Sequence, residues 1–144
     1  MSRTRVDSSR KAGAAFLALA RSDTVGAAPL FETAADELPD AAPLVLGIAA
    51  RLYATTSDSL RSLTIWQAII DKYPQSPEAP ESDLEWARTL RRHGESREAI
   101  ARLEHLILTY PQSSLVPQAR RELEIARSAI PPVVTVEHAV RVRS

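Results

Sequence analysis

The sequence predicts an all-α protein built from stacked pairs of helices, and three observations support that prediction. The tetrapeptide Tyr-Pro-Gln-Ser occurs at residues 73–76 and returns 37 residues later at 110–113. Pro43, Pro80 and Pro117 keep the same interval of 37 residues. A period of about 20–50 residues is typical of repeat proteins, in which each small unit packs on its neighbours.

The third observation is the spacing of the apolar residues. They recur at i, i+3 and i+4, which is the pattern of an amphipathic helix, between clusters of Pro, Gly, Ser and Asp that end helices. The pattern predicts seven helices, which span about residues 8–21, 28–38, 43–55, 59–72, 81–93, 96–109 and 117–130.

Start and stop signals agree with these helices. Residues 57–59 (Ser-Asp-Ser) can cap the fourth helix, and Ser96 can cap the sixth, because their side-chain oxygens accept hydrogen bonds from free backbone N–H groups. Pro29 is expected near the start of the second helix, where its missing N–H costs nothing. Gly94 suits the tight turn between the fifth and sixth helices, and Pro74 ends the fourth.

Three sets of residues recur, each with two small side chains followed by a large one. The sets are Ala15, Ala27 and Phe31; Ala50, Ser62 and Trp66; and Ala87, Ala99 and Leu103. With the 37-residue period, this pattern resembles the tetratricopeptide repeat (TPR) family, in the longer-period form found in bacterial envelope proteins. In that family the small residues lie where two helices cross closely, and the large residue fills the next gap.

The resemblance implies a right-handed α-solenoid of antiparallel helix pairs, with about three and a half TPR-like repeats. It divides the sequence into an N-terminal extension (1–7), repeats 8–42, 43–79 and 80–116, a capping helix 117–130 and a C-terminal tail 131–144. The tail contains alternating valines, so two interpretations stay open: a solvated extension, or an arm that pairs with a neighbouring molecule.

The charge balance, the absence of Cys and the lengths of the apolar runs argue against several classes of function. The protein has 18 basic and 18 acidic residues, and this balance argues against a general nucleic-acid or anionic-membrane binder, which normally carries a basic excess. It has no Cys, which excludes disulfides, thiolate metal sites and a lipid anchor on an N-terminal Cys. No apolar run approaches the length of about 18 residues that a membrane-spanning helix needs.

The sequence does not predict an enzyme. The three histidines, His93, His105 and His138, are not spaced as metal ligands, and no Gly-rich phosphate loop or nucleophile motif is present. We therefore expect no catalytic residue, no metal and no cofactor. The acidic run at residues 78–85 is interpreted as a solvated helix start that complements the helix dipole.

The N-terminus allows two locations. Basic residues precede the apolar segment 12–20, and Ala18-Leu19-Ala20 resembles a signal-peptidase site. A cytoplasmic location is favoured, with 8–21 as a structural helix. A periplasmic or extracellular location follows if residues 1–20 act as a signal peptide.

The resemblance also implies a binding face, because the first helix of each pair lines the concave side of the family's solenoid. By position, this face includes Arg51, Arg88, Arg91, Arg92 and Arg121. The guanidinium group can bond both oxygens of a carboxylate. The leading hypothesis is a non-catalytic protein-interaction module that binds an acidic peptide or the C-terminal segment of a partner in this Arg-lined groove. The competing interpretation is that these arginines only solvate helix faces.

Self-assembly is the alternative function. The segment 12–20 is apolar over much of its circumference, more than a solvated end helix requires. A head-to-tail contact that does not close produces filaments, so the alternative is a structural protein that forms a head-to-tail homo-oligomer or filament through its end helices and tail.

Overall fold

A computed structural model describes the backbone of residues 2–56 and 58–131, and side chains from residue 11 onward within those ranges. This part of the protein is all-α, as predicted, and it contains seven α-helices in sequence order. They are α1 (Ser2–Ala20), α2 (Thr24–Glu37), α3 (Ala42–Ala54), α4 (Ser59–Lys72), α5 (Glu78–Arg92), α6 (Ser96–Thr109) and α7 (Val116–Ser128). The predictions for the tail concern residues 132–144, which lie outside the described part.

Two helices begin at least four residues earlier than the sequence pattern indicated. Helix α1 starts at Ser2 instead of near residue 8, so helix occupies most of the segment expected as an extension. Helix α2 starts at Thr24, because the Asp23 carboxylate accepts a hydrogen bond from the Gly26 backbone N–H at 2.9 Å and caps the helix there. Pro29 therefore lies inside α2 and not near its start.

The caps of the later helices also differ in part from expectation. Ser96 is the first helical residue of α6, and the capping position is Glu95, whose side chain makes no capping bond. Asp58 precedes α4 but likewise makes no side-chain capping bond. The turn prediction at Gly94 is confirmed, because its φ of 79° lies in the left-handed region that favours glycine.

Each helix packs on the next one in the sequence, and α3 also contacts α5. The apolar core forms two clusters, one contributed mainly by α1 to α4 and the other by α5 to α7. All nine residues of the three small–small–large sets are at most 2% exposed. The expectation that these positions form the packed interior is therefore confirmed.

Helix α1 is part of the first core cluster. Ala15 is fully buried, and the Phe16 ring meets the Phe31 ring edge to face, with centroids 5.0 Å apart. Lys11 forms an ion pair with Glu37 of α2. Within residues 2–56 and 58–131, no helix is both long enough and apolar enough to cross a membrane.

Candidate functional site

A groove of about 720 Å³ lies beside the two Tyr-Pro-Gln-Ser loops. Both loops contribute to its lining, together with one side of α5 and the first turn of α7, where Gln118 lies. We call it the loop groove. The repeated sequence therefore forms two walls of this groove.

The loops have the same backbone turn because they have the same sequence. Pro cannot continue a helix, so α4 ends before Pro74 and α6 ends at the equivalent point. In the first loop the Ser76 N–H donates to the Tyr73 carbonyl at 3.0 Å, and in the second the Ser113 N–H donates to the Tyr110 carbonyl at 3.0 Å. These bonds fix both walls of the groove without help from a ligand.

Most of the groove lining is uncharged, formed by prolines, serines, glutamines and the side of Tyr110. Its charged side chains are Glu81, Glu85 and Arg88. The Arg88 guanidinium is only about one-quarter exposed and donates to Glu85 and to Glu122 of α7, both at 2.8 Å. Burial lowers the pKa of Arg88, but hydrogen bonds and attraction from the two carboxylates outweigh it and raise the pKa overall. Arg88 is therefore charged but already paired.

Arg51 has a similar partner on a neighbouring recess. Its guanidinium lies 3.1 Å from a carboxylate oxygen of Glu81, and both side chains are about half exposed. The recess is lined by Leu44, Gly47 and Arg51 of α3 and by three residues of α5. The ion pair joins the two helices side by side, so α3, α5 and α7 are linked in series by Arg51–Glu81 and Arg88–Glu122.

The five arginines proposed from sequence do not form one free basic surface. Arg88 lines the loop groove and Arg51 the neighbouring recess, and each is neutralised by carboxylates. Arg92 donates to the Thr89 hydroxyl at 3.0 Å. The side chains of Arg91 and Arg121 make no hydrogen bond or ion pair with other residues that the structure describes. Arg91, Arg92 and Arg121 line neither concavity.

A polar cluster lies behind the groove wall, and the sequence reasoning missed it. Asp83 is fully buried, where a solvated helix start was expected. One of its carboxylate oxygens lies 2.5 Å from His105 Nδ1 and the other 3.4 Å from Arg102 Nη1. The Arg102 guanidinium also stacks on the Trp86 ring at 4.5 Å, and the rings of His105 and Tyr110 are 6.1 Å apart. We call these five residues the Asp83 cluster.

Two groups of the cluster have perturbed protonation equilibria. Burial raises the pKa of Asp83, against the opposing hydrogen bond from His105 and the charges of His105 and Arg102. Burial and the charge of Asp83 together raise the pKa of Tyr110. The Tyr110 hydroxyl is buried and has no hydrogen-bond partner among the described residues. The repeat could have indicated this cluster from the sequence. The position equivalent to Asp83 in the preceding copy, 37 residues earlier, is the apolar Leu46, which suggests an inward-facing position.

The Asp83 cluster has no geometry for metal binding, since no group of three or more potential ligands occurs in residues 2–56 and 58–131. Asp83 is fully buried, so a molecule in the loop groove does not reach its carboxylate. The cluster therefore resembles a buried charge held by ion-pair partners more than an acid–base pair. No model of a known protein family matches the sequence, and no curated protein matches it either.

Proposed function

We propose that this protein is a non-catalytic interaction module that holds a segment of a partner protein in the loop groove. The observation that carries this proposal is the groove itself, whose volume of about 720 Å³ lies in the range of about 300–1,000 Å³ typical of ligand sites. Its two repeated loops are fixed by their own backbone bonds, so a bound segment would not have to order them.

We further propose that the fold is a right-handed solenoid of TPR-like repeats. Three facts support it: the burial of all nine residues of the small–small–large sets, the contact between α3 and α5, and the ion pair between α5 and α7. Contacts between every second helix are what stacking of helix pairs requires. Such stacks present extended concave surfaces, and the loop groove would be part of one.

The lining indicates which segment would fit. Prolines and the Tyr110 ring offer flat apolar contacts, and hydroxyl and amide groups of the loops offer hydrogen bonds to a peptide backbone. Because Arg88 is already paired, an acidic side chain in the groove would compete with Glu85 and Glu122. We therefore propose an uncharged extended segment for the groove. Acidic residues flanking it would meet Arg91, Arg92 or Arg121.

A selection experiment tests this proposal. Random 12-residue peptides displayed on phage are selected on the immobilised full-length protein, and enriched peptides are remade with a fluorescent label for anisotropy. Changing Gln118→Trp fills the groove with an indole ring and should weaken binding at least about tenfold. The matched control is Gln67→Trp, the same substitution at an exposed helical position on α4 that does not line the groove.

Two results would contradict the proposal. One is the absence of any enriched peptide, and the other is equal loss or equal retention of binding in the two Trp variants. The acidic-partner prediction has its own test, because Arg91→Glu with Arg121→Glu should weaken peptides with acidic flanks and leave neutral peptides unchanged. Neither substitution disturbs an ion pair of the described residues.

The packing of α1 supports one of the two cellular locations that the N-terminus allows. Ala15 is fully buried, and Ala18 and Leu19 pack against the first core cluster. Cleavage after residue 20 would remove these side chains and uncover Ala27 and Phe31. This supports the proposal that residues 1–20 act as a structural helix and that the protein is cytoplasmic. Mass spectrometry of the purified protein tests it, because an intact N-terminus is expected.

A further inference from the structure

The recess beside Arg51 and the loop groove occupy equivalent places in successive copies of the repeat. Six described residues line the recess, and five of them lie 37 residues before residues that line the loop groove. The five pairs are Leu44 and Glu81, Gly47 and Leu84, Arg51 and Arg88, Glu78 and Leu115, and Glu81 and Gln118. Glu81 lines both concavities, so they adjoin. We call this joint surface the track, with the recess as its first position and the loop groove as its second.

The same interval places a third position of the track on α7. Gln118 lines the loop groove, and Arg121 lies one helical turn further along the same side of α7. Arg121 is 37 residues after Leu84, and Leu84 is 37 residues after Gly47. No described helix follows α7, so the third position is an open surface and not an enclosed recess.

The first and second positions differ in charge. The first has two carboxylates, Glu78 and Glu81, and one guanidinium, that of Arg51, which lies 3.1 Å from Glu81. The side chain of Glu78 makes no hydrogen bond or ion pair with other residues that the structure describes. The first position therefore has an excess negative charge. At the second position, the equivalents of the two carboxylates are the uncharged Leu115 and Gln118.

The third position is basic. Arg121 is exposed, and its guanidinium has no partner among the described residues. The two carboxylates nearest to it in the sequence have partners of their own, since Glu122 bonds Arg88 at 2.8 Å and Glu124 lies 3.9 Å from Arg127. The track is therefore acidic at its α3 end, uncharged or paired in the middle and basic at its α7 end.

The spacing of the helices fits one backbone conformation of a bound segment. Helices α3 and α5 are in contact, and the 2.8 Å bond between Arg88 and Glu122 joins α5 to α7. The axes of packed helices are typically about 8–10 Å apart. In a polyproline II helix every third side chain points the same way, and three residues advance about 9.3 Å. A β-strand repeats its side-chain direction after about 6.7 Å and does not match the helix spacing.

We propose that the track binds a polyproline II segment with a basic and an acidic residue placed three residues to either side of the uncharged residue in the loop groove. The basic side chain lies at the recess, beside Glu78, and the acidic side chain lies at Arg121. Either order of the two charges along the segment satisfies both contacts. This inference rests on the proposed function and adds the conformation and the charge pattern of the partner. A segment with two like charges would place one of them against its own sign, which the track disfavours.

Peptides from the phage selection test this pattern on the wild-type protein. Alanine scanning of a selected 12-residue peptide identifies the residue in the loop groove as the one with the largest loss of affinity. Three versions of that peptide are then made, with Lys and Glu, two Lys, or two Glu at the positions three residues before and after it. By anisotropy, one order of the mixed peptide should bind at least about tenfold more tightly than either like-charge peptide, and the difference should shrink at high salt.

Charge reversal on the protein should change the preference one end at a time. Glu78→Lys makes both ends of the track basic and should favour the peptide with two Glu. Arg121→Glu makes both ends acidic and should favour the peptide with two Lys. The matched controls are Glu98→Lys, in the first turn of α6, and Arg120→Glu, which is two residues from Gln118 and does not share its side of α7. Neither control removes an ion pair between described residues, and both should keep the preference for mixed charges.

The failures of the two proposals are distinguishable. No enriched peptide, or binding that Gln118→Trp leaves unchanged, would overturn the proposed function and this inference with it. Peptides that depend on Gln118 but bind equally well with mixed and like charges would overturn this inference alone. The same holds if the preference for mixed charges survives Glu78→Lys and Arg121→Glu. A preference that is strongest with the charges two or four residues from the central residue would overturn the polyproline II conformation.

Discussion

The two full copies of the 37-residue repeat, residues 43–79 and 80–116, have the same loops but different interiors. At five equivalent positions the second copy has Asp83, Trp86, Arg102, His105 and Tyr110, where the first has Leu46, Ala49, Ile65, Ala68 and Tyr73. In the first copy, four of these five positions are occupied by aliphatic residues. In the second copy they form the Asp83 cluster.

The comparison shows that the repeated backbone does not depend on the cluster. Both loops close with the same 3.0 Å bond from the Ser N–H to the Tyr carbonyl, although one lies above an apolar interior and the other above a buried carboxylate. A buried charge network contributes little net stability compared with well-packed apolar residues. The second copy therefore has a polar interior that the geometry of its loop does not require.

The largest expected effect comes from removing the partners of Asp83. The double variant Arg102→Ile with His105→Ala leaves a fully buried carboxylate without either ion-pair partner. We expect the free energy of unfolding, measured by urea denaturation, to fall by about 3 kcal/mol.

The control for that variant copies the interior of the first repeat. Adding Asp83→Leu to the double variant reproduces Leu46, Ile65 and Ala68 at the equivalent positions. Because the buried charge is then gone, stability should return to within about 1 kcal/mol of the wild type or exceed it. A triple variant as unstable as the double variant would show that the loss comes from packing volume and not from the unpaired charge.

The second prediction concerns pH. Burial raises the pKa of Asp83 above its usual 3.8, so the folded state favours the protonated carboxyl. The resulting stability is present below that usual value and is lost as the pH rises through the folded pKa. Asn resembles the protonated form. The stability of Asp83→Asn relative to wild type should therefore increase as the pH rises from below 3.8 through the raised pKa of Asp83.

Chemical denaturation of both proteins at several pH values measures this difference. Asp71→Asn, at an exposed position of α4, controls for the substitution itself. The opposite trend, with wild type gaining on Asp83→Asn as the pH rises, would mean that the attraction of His105 and Arg102 outweighs burial. The first copy has Leu46 at this position and contributes no such titration.

The helices and the core positions could be predicted from the sequence, because the 37-residue repeat and the i, i+3, i+4 spacing of apolar residues depend directly on them. The 37-residue interval placed α3 to α7 within about three residues, and the small–small–large sets identified nine buried residues. The start of α2 was missed because Pro29 looked like a boundary, whereas the Asp23 cap sets the real one.

The site was less predictable, since pairing between distant residues leaves no periodic signal. Arg88 and Arg51 were expected in an Arg-lined groove, but each is paired with a carboxylate, Glu122 or Glu81, that lies 34 or 30 residues away. Asp83 was assigned to a solvated acidic run, because Glu81 and Glu85 on either side of it are also acidic. Only the comparison with Leu46 in the other copy indicates an inward-facing position.

The smallest expected effect compares two arginines at equivalent positions, Arg51 and Arg88, which are 37 residues apart. The Arg51–Glu81 pair is about half exposed, so Arg51→Ala should cost about 0–1 kcal/mol of unfolding free energy and less at high salt. Arg88 bonds two carboxylates and is 26% exposed, so Arg88→Ala should cost about 1–2 kcal/mol of unfolding free energy.

A double-mutant cycle of Arg88→Ala with Glu122→Gln isolates the bond between α5 and α7. A coupling energy of zero there, with equal costs for both arginines, would show that this ion pair does not join the second copy to α7.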